Sequence, residues 1–545
     1  TALTLDMSAA GAATFNSSVF IGNHLYLGDS KKAIFGAGED LNIQSDGTNG
    51  QINAVNGDLT LDVAGDIILD ADGGDVILKD GGTEFMAFYN GTIGRTGDLT
   101  LDASGSIVLD AVGHISTPTA GTSNVKLGVN AGNSIESGGN YNVVVGDEAG
   151  TALTTGDENT FIGYTAGDAT TTASGNTAIG FSALTTNVLG SRSVAIGRAA
   201  LQVQNPASAV NMYNVAVGHG AGESVTTGTQ NTLIGGLAGD ATTTGAYNTV
   251  MGYASLSANT TGNYNTAVGT LALGANTTAD NNVAVGYGSL GVNTTGERNI
   301  AIGTSALDAN TTADNNIAVG VSSLTTNTTG ANNVAIGDQT LSDNTTASNN
   351  TAVGHSALLA NTTGTQNVAV GAIAGDAFTV GGANIAVGYA SLSSDTQGSK
   401  SIAIGTGALF AQNFTSATNA YNTAVGDSAG NAVTTGTINT LVGALAADAL
   451  TEGNRNVAVG LGSLGSDTKG SRNTAIGVSA LGTQNFTTAT DSYNTAVGFD
   501  AGLLVTTGTF NTLIGGLAGD GATTASYSTA LGYGSLGGAM TGEGN

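Results

Sequence analysis

The chain has 545 residues, 40% of them apolar, with 86 Gly, two Pro, no Trp and no Cys, and a formal net charge of −28. The apolar share is too high for a disordered tract, yet it is mostly Ala, Val, Leu and Ile, which suits thin buried layers better than a deep aromatic core. The absence of Cys excludes disulfides and thiolate metal sites, 12 Lys and Arg against 40 Asp and Glu offer no basic stripe to nucleic acid or anionic lipid, and no apolar run is long enough for a membrane-inserted helix.

Residues 1–115 consist of short β-prone segments closed by Gly-Asp or Gly-Ser turns. They read Gly57-Asp-Leu-Thr-Leu-Asp-Val-Ala, Gly65-Asp-Ile-Ile-Leu-Asp-Ala-Asp and Gly74-Asp-Val-Ile-Leu-Lys-Asp-Gly, and a second copy opens at Gly97-Asp-Leu-Thr-Leu-Asp-Ala-Ser. Strands this short cannot enclose a deep core, so the region is expected to form a slender β stem whose strands wind around partner chains. Asp62, Asp66, Asp70, Asp72, Asp75 and Asp80 crowd its turns. Hard oxygen ligands suit Ca2+, but neither the EF-hand spacing nor the glycine-rich nonapeptide calcium signature is present. Turn formation is therefore the expected role, with calcium as the alternative and no other cofactor expected. Residues 116–123, with Pro118, form the junction.

From residue 124 to 545 one block recurs: Asn-x-Ala-Val/Ile-Gly. Its Gly runs from Gly128 to Gly532 in 24 copies, and of the 23 intervals 19 are 17 residues, one is 18 and three are 21. So short a period cannot hold a helix pair or a propeller blade. It predicts an all-β, elongated parallel β-solenoid or β-roll, one coil per repeat. Asn265, Val268, Gly269 and Leu273, and Asn282, Val285, Gly286 and Leu290 in the next unit, are its expected structural residues. Asn opens 21 of the 24 blocks, with Ser193, Ser401 and Ser528 replacing it, and stacked amides are expected to bond coil to coil.

Strand side chains alternate faces, so Val/Ile before the Gly opposes the Ala beside it, and both are apolar. One coil interior hides one face. The expectation is that the Ala row, together with Leu273, Leu290, Leu307 and Leu324, packs against sister chains, most simply in a homotrimer.

The three 21-residue intervals hold Gln204-Asn-Pro206, Gln412-Asn-Phe414 and Gln484-Asn-Phe486, each running on to a Tyr. A four-residue insertion must bulge at a turn, which makes Asn205, Tyr213, Phe414, Tyr421, Phe486 and Tyr493 candidate recognition residues. Downstream of each insertion the small Ala becomes Leu233, Leu441 or Leu513.

The units Asn265-Thr-Ala-Val-Gly, Asn282-Val-Ala-Val-Gly-Tyr-Gly-Ser-Leu and Asn350-Thr-Ala-Val-Gly-His-Ser-Ala-Leu-Leu-Ala-Asn-Thr-Thr-Gly resemble repeats of phage tail-fibre proteins. They are also similar to the Ala-Ile-Gly repeats in the β-roll heads of trimeric autotransporter adhesins. The resemblance covers about residues 124–545, and tail-fibre relatives commonly carry Gly-Asp-Leu-Thr-Leu-Asp segments upstream. It implies a homotrimeric virion fibre of left-handed β-rolls, with tail or baseplate proteins and a host surface receptor as partners. A bacterial surface adhesin at the cell exterior is the alternative. A third reading, an ice- or glycan-binding solenoid, would use the recurrent Thr-Thr pair, of which one Thr per coil can face outward. No stretch matches the self-cleaving chaperone that often ends such fibres, so a tip is expected beyond Thr541-Gly-Glu-Gly-Asn545, and the start at Thr1 without Met is read as that of a processed or trimmed piece.

Catalysis is not expected. His24, His114, His219 and His355 have no recurring acid or nucleophile partner, Gly286-Tyr-Gly-Ser-Leu fails as a nucleophile elbow, and no P-loop or zinc spacing occurs. Asp70 with Asp72 could serve a glycosidase, but a carboxylate pair with no pocket evidence in the sequence is a weak signal. Asn-x-Thr sequons at Asn259, Asn276, Asn293, Asn310, Asn327, Asn344 and Asn361 are read as turn residues, with glycan attachment as the alternative.

Overall fold

The computed structural model describes residues 32–35, 41–45, 50–54, 59–60, 76–80, 83–89, 92–94, 121–538 and 542–544. The chain divides into two units, Thr1–Asp110 and Ala111–Asn545. In the first unit Lys32–Phe35, Leu41–Ser45 and Gly50–Ala54 form one antiparallel sheet, and Val76–Asp80, Thr83–Tyr89 and Thr92–Gly94 another. These strands pair with their sequence neighbours, the arrangement open to short segments separated by tight turns. The second sheet uses the Gly74 segment. The Gly65 and Gly97 segments, the Gly57 segment apart from Leu59 and Thr60, and the carboxylates Asp62, Asp66, Asp70, Asp72 and Asp75 lie outside the described residues.

The second unit is a parallel β-solenoid. Twenty-four three-residue strands, from Val125–Leu127 to Thr529–Leu531, follow one another in a single parallel ladder. Like pairs with like: Ala267 lies opposite Ala284, and Ala284 opposite Ala301. No described residue is helical. Coil-to-coil bonding continues outside the strands, as in Leu290 N to Ala306 O at 3.0 Å and Thr294 N to Thr311 O at 2.9 Å. At ~4.8 Å per coil, 24 coils stack to roughly 115 Å.

The coil around Gly286 shows how 17 residues close a circuit. Asn281, Gly288 and Leu290 adopt left-handed backbone, with φ of 61°, 62° and 50°, and Gly286 itself has φ 136°. Asn and Gly tolerate such corners; Leu there costs about 1–2 kcal/mol. Leu290 is kept because it is the largest side chain inside its coil. Around it Asn282, Ala284, Ser289 and Asn293 are likewise fully buried.

The two apolar faces are assigned the opposite way from the sequence expectation. Ala267, Ala284, Leu273, Leu290, Leu307 and Leu324 are buried inside their own coil and cannot meet a sister chain. Val268 and Val285, with Thr266 and Val283, are the half-buried outward residues. The reason is space: a coil one Leu wide accepts Ala, not Val, opposite that Leu.

Interior volume is traded among three places. Where the Leu becomes Gly150, Gly222, Gly375, Gly430 or Gly502, the Asn of the Asn-Thr-Thr turn becomes Leu153, Val225, Phe378, Val433 or Val505. Where the strand Ala becomes Phe161, Leu233 or Leu513, the Leu place is again glycine: Gly167, Gly239 or Gly519. An added Cβ at Gly375 would lie 2.7 Å from the Phe378 ring, and at Gly239 2.9 Å from Leu233. Most coils hold one large group, because interiors are close-packed; the Gly443 coil holds two, Leu441 and Leu450, with Ala447 at the Leu place.

Candidate interaction surfaces

Each 21-residue coil keeps its circuit and extrudes the extra residues as a loop. A second, two-stranded parallel ladder stitches each loop down: Gly190–Ser191 with Val210–Asn211, Gly398–Ser399 with Thr418–Asn419, and Gly470–Ser471 with Thr490–Asp491. Asn205, Tyr213, Tyr421 and Tyr493 are exposed on these loops. Each Tyr carries a cation from the preceding coil over its ring: Arg192 at 5.8 Å, Lys400 at 5.2 Å and Arg472 at 5.2 Å from the ring centre.

Phe414 and Phe486 behave differently from the expectation of displayed recognition residues. They are 6% and 7% exposed, tucked beneath their loops. Their backbone N–H groups explain this, since Phe414 N donates to Asp395 Oδ1 at 3.2 Å and Phe486 N to Asp467 Oδ1 at 3.1 Å. Both carboxylates are fully buried and also accept from Gln412 Nε2 or Gln484 Nε2, each at 2.6 Å. The first loop has Pro206, which has no N–H, where the others have Phe, and there the matching buried residue is Asn187. Donor and acceptor change together; that pairing was readable in the sequence.

Burial pushes Asp395 and Asp467 above the ordinary carboxylate value of 3.8, against the hydrogen bonds that pull them down. A raised folded value means that the protonated acid is favoured in the native loop. Its stabilising contribution is complete below 3.8 and is lost as pH rises through the raised value. We expect the amides of Phe414 and Phe486 to be better protected from hydrogen exchange, corrected for intrinsic rate, near pH 4 than near pH 7 (about one side and the other of this window). The double variant D395N/D467N should abolish that difference. A pH dependence unchanged in the variant would show that other groups cause it.

The outward strand face is the largest surface feature. Its columns are the residues three before, one before and one after each repeat Gly, and most large exposed apolar side chains of the solenoid sit there or at the preceding corner, with Val210, Leu271, Val292, Val380, Phe410, Leu445 and Leu504 elsewhere. Tyr287 is 58% exposed, Val321 51% and Met251 47%. Asp147, Asp338 and Asp427 interrupt it.

A different face carries the Thr-Thr pairs. The first Thr of each pair is half-buried and spends its hydroxyl on the next coil, as Thr260 Oγ1 does on Thr277 O at 3.0 Å and Thr294 Oγ1 on Thr311 O at 3.0 Å. The second is exposed, so one Thr per coil faces outward as the alternation predicts. The Asn before them points inward. All seven sequon Asn side chains are fully buried and form a ladder, with Asn276 Nδ2 donating to Asn259 Oδ1 at 3.1 Å and Asn344 Nδ2 to Asn327 Oδ1 at 2.7 Å. They are interior amides, not surface turn residues, and the folded chain gives a glycosylating enzyme no access to them. The ladder ends where Phe378 takes the next place, which leaves Asn361 Oδ1 without a partner.

His219 and His355 are exposed in the column after the Gly, beside Arg198 and Asp338 respectively, and His24 and His114 lie outside the described residues. Among the described residues no group of three or more His, Asp or Glu is placed to hold a metal, and no helix is long and apolar enough to cross a membrane. Two shallow grooves mark the surface. One, of about 360 Å³, opens where Gly274, Gly288 and Gly291 leave space between Leu271 and Tyr287. The other, of about 270 Å³, lies against the second loop between Thr363, Gln366, Gly382, Lys400 and Asn419. Comparison with protein families, with characterised proteins and with solved structures found no match to this chain.

Proposed function

We propose that the protein is a non-catalytic structural fibre, a homotrimeric tail fibre of a virion, whose solenoid provides reach and host-cell attachment. The observation that carries this reading is the outward apolar face. Spanning ~13 Å across the strand and ~115 Å along the stack, the face measures roughly 1,500 Å² in all, of which the Val, Ile, Leu, Met and aromatic side chains are the apolar share and Thr, Arg198, His219, His355 and the three Asp are the polar remainder. Soluble monomers rarely expose an apolar patch beyond about 300–600 Å², and a stable interface buries ~800 Å² per partner. Backbone groups under this face are already bonded coil to coil, so a partner must bind through side chains. An object that meets every coil in register needs the same pitch throughout, and another copy of this chain laid parallel has it. Three such faces close around one axis, consistent with closed cyclic assembly.

The test is mass in solution and shape in the microscope. The purified chain should sediment at three times its 53.0 kDa mass and appear as rods, labelled on virion tails. V268E with V285E should leave the β spectrum intact and release monomers, whereas A284E, inside the coil, should unfold its neighbourhood. Wild-type protein that stays monomeric at micromolar concentration sinks the trimer; rods rooted in a cell envelope replace the virion with a surface adhesin.

A further inference from the structure

After the first insertion loop the exposed Thr column is unbroken for nine coils, and Val380 and Gln397 take its place in the two coils before the second loop. It runs from Thr227 to Thr363, one Thr in each of nine consecutive coils. A second exposed column runs parallel to it, at the left-handed corner before each interior Asn. Six of its nine residues between Gln230 and Gln366 are Asn or Gln, and the rest are the stacked pair Tyr247 and Tyr264, with ring centres 4.8 Å apart, and Arg298. Within the strip the charged residues are Asp280, Glu297 and Asp314 against Arg298, a formal −2 in a chain of −28. Arg298 is paired with Glu297 at 2.6 Å and Asp314 at 3.3 Å, and Asp280 accepts from Asn263 N at 2.6 Å. At its far end the 270 Å³ groove is lined from both columns, by Thr363 and Gln366, and closed by Lys400 and by Asn419 of the second loop.

We infer that this strip binds a linear, largely uncharged polysaccharide lying along the solenoid axis, with its end in the groove beside the second loop. The two columns offer hydroxyls and amides, which both donate and accept, at a constant pitch along a straight line. A straight polymer rich in hydroxyl groups is the ligand that chemistry fits. A polypeptide cannot add a strand, because the strip's backbone groups are bonded between coils. A nucleic acid is repelled by the net charge of −28. The loops on either side bound the length of chain that can be held. The inference rests on the attachment reading above and names its ligand class.

The experiment uses the full chain over immobilised linear glucan, mannan, galactan and chitin oligomers, with hyaluronan as the charged comparison. T261E/T295E/T329E is the test variant, and Glu452 already occupies that column elsewhere in the same solenoid, so folding is tolerated. Wild-type protein should bind at least one neutral polymer, and the variant at least tenfold more weakly with an unchanged circular-dichroism spectrum. Failure of wild-type protein to bind any of them, equal binding by the variant, or preference for hyaluronan overturns the inference. So does ice-growth inhibition that the variant loses without any glycan binding. Trimeric rods that bind no polysaccharide refute this inference alone; a monomer that binds one refutes the fibre reading alone.

Discussion

Replacing Gly286 with Ala should open the solenoid at that coil, at a cost of about 2–6 kcal/mol. Two effects add. The backbone at φ 136° is a region that an L residue with a Cβ avoids, which costs ~1–3 kcal/mol. The new Cβ would also lie 2.5 Å from Gly303 O and 2.7 Å from Gly303 C. Those atoms belong to the backbone of the next coil, held by Gly303 N to Val285 O at 2.8 Å, so they cannot yield without breaking the ladder; overpacking of this kind adds about 1–3 kcal/mol. Gly288, in the same coil, is the control. Its φ is 62°, an added Cβ meets nothing nearer than 3.9 Å, and Ser305 and Ser322 hold the same corner in later coils, so G288A should cost only the backbone share, about 1–2 kcal/mol. Because each coil touches only its neighbours, the damage should be local. Hydrogen exchange should accelerate on both sides of residue 286 and stay slow near Thr495–Val497. Equal protection in G286A and wild type, or equal damage from G288A, would remove the steric account of the repeat.

This stacking of Gly on Gly is also why the architecture could be read from sequence. A residue that only Gly can fill returns at each step, so its spacing reports the coil directly, and all 24 positions coincide with a strand end. Sidedness was a harder problem. In Thr-Ala-Val-Gly both faces are apolar, and alternation separates two faces without saying which is inside. The deciding signal lies outside the strand, in the exchange of Leu233 with Gly239 or of Leu290 with Gly222: the columns that conserve their summed volume are the ones that share an interior. The Asn of the Asn-Thr-Thr turn reads as a turn residue, and its burial is not visible within its own unit, where its neighbours are polar. Its replacement by Leu153, Val225 and Phe378 in the Gly-containing coils marks it as interior. Phe414 was misplaced for a similar reason. Large side chains in an insertion suggest display, and the contrary clue required matching Pro206 with Asn187 against Phe414 with Asp395.

Removing one interior amide should cost nearly as much as adding a methyl to the Gly column. Asn299 accepts from Asn316 N at 2.9 Å and donates to Ala313 O at 2.8 Å, while its own N–H bonds Asn282 Oδ1 at 2.9 Å. In N299A the Asn316 N–H is left in a dry interior without an acceptor, a loss of about 1–3 kcal/mol, and the missing amide leaves a void besides. Ala313 O keeps a second donor, Asn310 Nδ2 at 3.1 Å, so its loss is smaller. About 2–4 kcal/mol in total is expected by chemical denaturation. N299D separates hydrogen bonding from volume. Ionised, it would turn an acceptor toward the Ala313 carbonyl; protonated, it restores the donor. Its folded pKa is therefore raised, and its stability should be recovered as pH falls toward the ordinary Asp value near ~3.9 and lost above the raised value. Natural Ser at this place is instructive. Ser193 and Ser401 are each backed by a Gln that enters the core, with Gln204 Nε2 donating to Ser193 Oγ at 3.0 Å and Gln412 Nε2 to Ser401 Oγ at 3.1 Å, and each Gln oxygen accepting from the next Asn. N299S alone should therefore resemble N299A, and N299S with N310Q should regain part of the loss. If the single Ser variant is as stable as wild type, the amide column is a packing element and its hydrogen bonds do not hold the coils in register.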